Sequence, residues 1–209
     1  MIKGSCVHEV LFDEPYRSIN YVECHDNYTF YDQLIKIHPG LTDKEYARYV
    51  LLSLGVIAFS QGIPFYHIGE TGLRTKKGED NSYNLDLSYN KLDWDRIEKF
   101  SYVSSALKDM LEIRKEYPIF RLRNANKIKK VYRFDKVNEL NKKMWKKEVS
   151  FRMKDSSVEL QVIFKNDFEE SIFYFAPGSK LIFDGLKKTY EEISVMTLTE
   201  PGVYIIKKE

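Results

Sequence analysis

Two short apolar segments that read as strands, residues 19–24 and 63–68, are each followed by a helical pattern, and that order constrains the chain more than any single motif. Strand–helix–strand–helix implies parallel strands joined by crossover helices. Two such units can neither cover a sheet on both faces nor close a barrel. The first half therefore reads as a piece of something larger, with an open sheet edge.

The helices carry local signatures. Thr42 and Glu45 form a Thr-x-x-Glu capping box, which satisfies two orphan backbone donors at a helix start. Tyr46, Val50, Leu51, Leu54 and Ala58 then recur at three-to-four spacing and give one apolar face. Gln61, Gly62 and Pro64 end that helix. The second strand begins with Pro64 near its start, where a missing donor costs least. A polar stretch, residues 69–92, follows; connections this long without structure of their own are functional or disordered. Asp95 and Glu98 repeat the capping logic, and Ile97, Phe100, Val103, Leu107 and Leu111 predict a second amphipathic helix. It stops before Pro118, which disfavours helical geometry at Tyr117.

The period changes in the second half. Val158, Leu160, Val162 and Phe164 alternate with Glu159, Gln161 and Lys165, the pattern of a half-buried strand. Residues 171–175, 180–183 and 203–206 predict further strands. Ala176-Pro177-Gly178-Ser179 and Glu200-Pro201-Gly202 read as turns of the hairpin kind. Short strands so punctuated predict a small antiparallel sandwich. The fold class is thus mixed α/β followed by all-β, divided into residues 1–118 and 119–209.

Composition excludes several classes. With 43% apolar and 14% aromatic residues the 209-residue chain is no disordered tail. Its longest apolar run, residues 49–59, is broken by Ser53 and Gly55 and falls short of the roughly 20 residues of a membrane span. No basic, apolar leader follows Met1, so no signal peptide is visible, and a cytoplasmic setting is favoured. Cys6 and Cys24 cannot staple a chain of this size. Cys24, with nothing nearby to lower a thiol pKa, reads as inert. The net charge of +2 hides a split: residues 1–118 carry 14 Lys and Arg against 18 Asp and Glu, and residues 119–209 carry 19 against 13. Most of the basic excess lies in residues 127–130 and 142–147. With Asp135, Glu139 and Glu148 interleaved and no binding motif beside it, it reads as a solvated linker face, not a nucleic-acid patch.

Side chains at the carboxyl ends of parallel strands, and the loops that follow, face the site in such folds. His25 and Asp26 end the first strand, and Gly69 and Glu70 open the long loop after the second. A carboxylate beside an imidazole serves acid–base chemistry, a metal, or sugar hydroxyls, or simply caps a strand end in water. A metal set of His25, Asp26, His67 and Glu70 is one option, although no metal-type local spacing supports it.

Four ordered motifs narrow the choice. The segment Tyr21-Val22-Glu23-Cys24-His25-Asp26-Asn27-Tyr28-Thr29-Phe30-Tyr31-Asp32 resembles the "YVEAHDN-x-T-L-x-D" segment of type I pullulanases, debranching glycoside hydrolases of the α-amylase superfamily. Gln61-Gly62-Ile63-Pro64-Phe65-Tyr66-His67-Ile68-Gly69 resembles that family's "QGIPFxHAGQE". Arg74-Thr75-Lys76-Lys77-Gly78, then Asn81-Ser82-Tyr83-Asn84, then Asn90 and Asp93-Trp94, resemble its "RTKxG…NSYN…N-x-x-DW". The resemblance is dense over residues 1–123 and architectural from 124 to 209.

The resemblance implies a fold and an activity. Residues 1–118 match the last two strand–helix units of a (β/α)8 TIM barrel, and 119–209 its following β-sandwich. The family hydrolyses α-1,6 links in branched α-glucans such as pullulan, glycogen or limit dextrin, with retention. That chemistry needs a carboxylate nucleophile and a carboxylic acid/base close together. In the family both lie on earlier strands, so this chain alone is expected to be inactive. The matching third carboxylate, Asp26, stabilises the transition state, and His25 binds sugar hydroxyls at the same subsite. Asn27, Arg74, Asn81, Asn84 and Asp86 complete the substrate-binding set by resemblance. Arg74 either braces the loop or touches sugar, and Asn81, Ser82 and Asn84 also suit turns. Tyr83 could stack on a glucose ring, while Trp94, directly before a helix, is assigned to core packing.

Three positions depart from the family: Cys24 for alanine, Glu70-Thr71 for its Gln-Glu, and Asp86-Leu87 for its usual Pro-Asp. No pattern demands a metal or an organic cofactor, so no cofactor is expected. Besides glucan, the expected partner is the missing N-terminal barrel portion, either joined in one chain or supplied as the other half of a split enzyme. A glucan-binding module using exposed Tyr174 and Tyr190 on the sandwich is the reading from another class. No nucleic acid or membrane partner is expected.

Overall fold

The computed structural model describes residues 2–7, 11–134 and 148–208. Strand β1 (Ile19–Asn20) leads through a turn to helices α1 (Phe30–Ile37) and α2 (Asp43–Phe59), then to β2 (Ile63–Pro64). Helices α3 (Leu87–Asn90), α4 (Trp94–Lys99), α5 (Ser101–Glu116) and α6 (Ala125–Val131) follow. The remaining elements are strands: β3 (Tyr132–Phe134), β4 (Glu148–Lys154), β5 (Glu159–Lys165), β6 (Ser171–Tyr174), β7 (Lys180–Phe183), β8 (Lys188–Glu192), β9 (Val195–Leu198) and β10 (Gly202–Lys208).

β1 and β2 pair in parallel, Ile19 opposite Ile63 and Asn20 opposite Pro64. The expected strands over 19–24 and 63–68 are therefore much shorter as ladders. Each has a single neighbour among the described residues, and Pro64 brings no N–H to it. The buried Asn20 side chain donates to the Gln61 carbonyl at 2.8 Å and fixes the approach. Gly62, at φ 103°, lets the backbones close: a Cβ there would meet the Ser18 carbonyl at 2.7 Å.

The capping box of α2 is present, with Thr42 Oγ1 accepting from Glu45 N–H and Glu45 Oε2 accepting from Thr42 N–H at 2.7 Å. Beyond its expected single face, α2 also buries Ala47, Ile57 and Phe59. It lies between α5 on one side and β10 on the other. The expected second helix is two: Asp93, not Asp95, caps α4 through the Arg96 N–H, and the helix breaks at Phe100. That break resets the helical phase. α5 buries Val103, Ala106, Met110 and Ile113, leaving Leu111 exposed, and it ends before Pro118 with Tyr117 extended. Three helices were not foreseen, among them the single turn of α3 inside the stretch 69–92 that was expected to lack structure of its own. Thr29 caps α1, and Asn124 caps α6 by accepting from Asn126 and Lys127 N–H. Lys127, Lys129 and Lys130 are the exposed side of α6, whose Ile128 and Val131 are buried. The basic residues 142–147, with Asp135 and Glu139, lie outside the described residues, while Glu148 is buried in β4.

The strands form an antiparallel sheet of six, in the order β3-β4-β5-β10-β7-β8, and a separate pair, β6-β9. The turns at 176–179 and 200–202 are real but are not hairpins. They carry the chain from β6 to β7 and from β9 to β10, between the two sheets. Among the described residues, hairpin turns lie at Asp155 and Asp184, whose carboxylates accept backbone N–H groups two and three residues on. β5 is buried on both faces. Leu160, Val162 and Phe164 join the helices in one core, and Ile163 joins Leu181, Leu198, Tyr204 and Ile206 in a second core beneath β6 and β9. Lys165, expected on the solvent face, is 0% exposed and pairs with Asp167.

Candidate functional site

The turn that follows β1 carries His25, Asp26 and Asn27. All three are exposed, with His25 Nδ1 3.3 Å from Asp26 Oδ1 and Asn27 in the left-handed region at φ 60°. Non-glycine residues adopt that conformation only when the surroundings hold them. Here the holding atom is the ammonium of Lys76. It donates to the carbonyls of Asn27 at 2.6 Å, Asp80 at 3.1 Å and His25 at 3.4 Å. Lys76 is itself set by Asp32 of α1, whose carboxylate accepts from Lys76 N–H at 2.7 Å and Thr75 Oγ1–H at 2.5 Å. One buried cation thus brings the His25–Asn27 turn against the residue preceding Asn81.

Glu23 anchors the other side. Its Oε2 accepts from Phe30 N–H at 2.6 Å, and its Oε1 lies 3.3 Å from His67 Nδ1. Glu70 Oε2 accepts from His67 N–H at 3.2 Å. Burial pushes the Glu23 carboxyl up to about 7, against the Phe30 N–H and Arg74, which favour its charge. Burial and the neighbouring Glu23 push Glu70 up to about 8. Burial and then the charge of Arg74 lower the His67 imidazole, which keeps it neutral.

The remaining expected residues are placed less uniformly. Arg74 is half-buried with Nη1 3.5 Å from His67 Nδ1, so it braces the loop from inside. Asn81 and Asn84 are exposed, and no hydrogen bond engages their side chains among the described residues. Between them Ser82 is buried and hydrogen-bonded twice to Asn90, which shapes this segment. Asp86 caps α3 by accepting from Ser88 N–H at 2.9 Å. Trp94 is 70% exposed, so its assignment to the core is corrected: α4 turns that position outward, and Ile97 packs inward against Gly72. Tyr83 is exposed too. Tyr174 stands free on β6, whereas the Tyr190 hydroxyl donates to Glu116 on α5.

Sequence reasoning missed Glu23, Asp32 and Lys76 as site-forming groups, although all three lie inside the recognised motifs. Charged side chains there carried the ordinary expectation of exposure. Among the described residues, no group of three or more His, Cys, Asp or Glu side chains is disposed to hold a metal ion, and no helix is long and apolar enough to cross a membrane.

No protein-family model matches the chain. Among curated proteins, the pullulanase of Bacillus subtilis (strain 168) is 42% identical over 117 residues, 56% of this chain and 16% of that protein. The chloroplastic pullulanase 1 of Arabidopsis thaliana is 33% identical over 155 residues, again 16% of its length. The likeness to solved structures extends further along the chain. Type I pullulanase from Bacillus subtilis str. 168 in complex with maltose superposes on 99% of this chain with a TM-score of 0.87 and 30% identity, using 30% of its own chain. Pullulanase from Paenibacillus barengoltzii in complex with maltohexaose and α-cyclodextrin gives a TM-score of 0.84 at 28% identity, with 99% and 33% covered. The chain spans about a sixth of the curated relatives and at most a third of these structures. It is pullulanase-like, and it corresponds to only part of such an enzyme.

Proposed function

We propose that this chain is the C-terminal portion of a pullulanase-type hydrolase that cleaves α-1,6-glucosidic links in branched α-glucans with retention. Residues 1–118 would be the last two strand–helix units of its (β/α)8 barrel and 119–209 its β-sandwich domain. The observation that carries this reading is the parallel β1–β2 pair, with the His25-Asp26-Asn27 turn at the carboxyl end of β1 and both strands lacking outer neighbours among the described residues. In such a barrel Asp26 stabilises the oxocarbenium-like transition state, and His25 donates to a sugar hydroxyl. Asn27, Arg74, Asn81, Asn84 and Asp86 order the glucan, with Arg74 acting through His67 and Asp86 through the shape of the loop. The nucleophile and the general acid would come from strands outside these 209 residues.

A second reading shares this chemistry but takes those strands from a separate polypeptide. The apolar edge favours it, since Ile19 and Ile63, opposite each other, are 58% and 46% exposed. Incubation with pullulan tests both. The chain alone releases no reducing sugar; mixed with a polypeptide carrying the preceding barrel strands it does, and Asp26→Asn abolishes the signal. Release by the chain alone, sensitive to Asp26→Asn, would sink the proposal.

A further inference from the structure

The segments 69–77 and 88–97 face each other across a cavity of about 250 Å³. Its walls are packed. A Cβ on Gly69 would meet Leu92 Cδ2 at 2.8 Å and Arg74 Cδ at 3.1 Å, and one on Gly72 would meet Ile97 Cγ1 at 2.6 Å. Drug-sized ligands occupy pockets of roughly 300–1,000 Å³, so an occupant here is smaller than those. Leu92 and Ile97 give the lining an apolar part, and Ser88 adds a hydroxyl.

The charge of the lining is one-sided. Arg74, Lys77, Lys91 and Arg96 stand against the single carboxylate of Asp93. Arg96 is committed elsewhere: its guanidinium donates to the Leu73 carbonyl at 2.9 Å and pairs with Asp43 at 3.4 Å. Asp93 is committed to its cap, accepting from Arg96 N–H at 3.0 Å. The other three cations have no carboxylate partner among the described residues. Lys77 Nζ donates to Ser88 Oγ at 2.9 Å and lies 4.3 Å from the centre of the Tyr89 ring, so one of its three N–H groups is used by an acceptor atom. No hydrogen bond or ion pair engages the Lys91 ammonium among the described residues. The Arg74 guanidinium reaches His67 Nδ1 at 3.5 Å, and its buried Nε has no partner. Like charges converging on one cavity repel each other, and an anion between them relieves that repulsion.

We propose that this cavity binds the phosphate group of a small phosphorylated molecule, with Arg74 at its inner wall and Lys77 and Lys91 at its mouth. Arg74 is half-buried while both lysines are exposed, which sets that order. Three cations exceed the charge of one carboxylate but match a phosphate ester, which carries nearly two charges and three acceptor oxygens at neutral pH. The planar guanidinium fits two of those oxygens, and the ammonium groups act as point charges on the remainder. In a sugar phosphate the carbon frame would lie on Leu92 and Ile97. The cavity is distinct from the His25–Asp26–Asn27 turn. Lys76, between the lining residues Thr75 and Lys77, is no part of the lining, and its ammonium goes to the carbonyls of His25 and Asn27. Binding of phosphate there does not depend on the debranching reading.

The test is isothermal titration calorimetry of the 209-residue chain at low ionic strength, where screening is weakest, with glucose 6-phosphate, inorganic phosphate and glucose. Glucose 6-phosphate is expected to saturate one site, and glucose to give no binding. Lys77→Gln with Lys91→Gln removes two exposed charges, which spares the fold, and should weaken glucose 6-phosphate by about tenfold. Lys127→Gln with Lys129→Gln, on the exposed side of α6, removes the same charge far along the chain and should leave the affinity unchanged. Inorganic phosphate binding as tightly as glucose 6-phosphate supports a site for the free ion, and weaker binding supports a site for a sugar phosphate. The proposal is overturned if neither phosphate saturates a site, if glucose binds as well as its phosphate, or if the α6 pair weakens binding as much as the cavity pair. No glucan is cleaved in the measurement, so its failure and failure of the debranching reading are separate results.

Discussion

The ammonium of Lys76 lies 2.6 Å from the carbonyl oxygen of Asn27, in a side chain only 1% exposed, and holds that residue at φ 60°. Three carbonyls satisfy its three donors, which is how a buried ammonium is tolerated away from a direct ion pair. Replacing it with methionine fills the space but strands three acceptors. Lys76→Met is expected to cost about 2–4 kcal/mol in urea unfolding and to weaken the hydrogen-exchange protection of the Phe30 amide, whose bond to Glu23 closes the same turn. A loss below about 0.5 kcal/mol would mean that the turn holds itself.

The helical layer and the six-stranded sheet meet at Gly55 and Val203. A Cβ on Gly55 would stand 2.3 Å from Val203 Cγ2, and Val203 is fully buried. Gly55→Ala on its own favours a helix, by about 1 kcal/mol. The clash outweighs this gain, so the variant is expected to lose about 1–3 kcal/mol. With Val203→Ala in addition, the two losses should fail to add by at least about 0.5 kcal/mol. Strict additivity in the double-mutant cycle would count against this contact.

What was legible in the sequence was local. The Thr42–Glu45 box needs only its own residues, and so do the turns at Pro177 and Pro201. Their role as crossings between sheets depends on the pairing of β6 with β9 and of β10 with β5 and β7, which no local pattern encodes. Burial of charge was equally hidden. Lys76 looks like a surface residue until the carbonyls of His25 and Asn27 arrive from a distant part of the chain, and Lys165 until β4 and β10 pair with β5 on either side of it. The Asp93 cap was displaced to Asp95 because two acidic residues flank Trp94, and only the backbone shows which one faces the Arg96 N–H. His25 and Asp26 stood out because their types and their strand-end position both mattered, whereas Glu23 was read as one more residue of a strand.

Asp43 gives a stability signal at low pH. Partial burial opposes its ionisation, but hydrogen bonds from Tyr31 and Lys99 and the Arg96 charge outweigh that and hold the carboxyl down at about 2. A depressed carboxyl stabilises the fold above its unfolded value of about 3.8 and loses that contribution as pH falls through 2. Screening at this partly exposed site limits the effect to about 1 kcal/mol. Asp43→Asn should therefore be less stable than the parent at pH 6 and close to it at pH 2. A gap that stays constant across this range would assign the effect to packing.

The apolar edge of β1 and β2 makes the final prediction. Ile19 and Ile63 face each other across the parallel pair and are largely in water, beside the edge-to-face rings of Tyr21 and Phe65. Exposed strand edges with apolar side chains template association. The 209-residue chain is therefore expected to self-associate as its concentration rises, as light scattering would show. Ile19→Lys with Ile63→Glu places opposite charges at paired positions and leaves the ladder hydrogen bonds, which are backbone, untouched. Thermal stability should fall by no more than about 2 kcal/mol, because about half of each side chain is already in water. Association should fall, and so should recovery of pullulan hydrolysis on mixing with the preceding barrel strands. If association falls while hydrolysis is recovered in full, the edge is adhesive but is not the seam of the barrel.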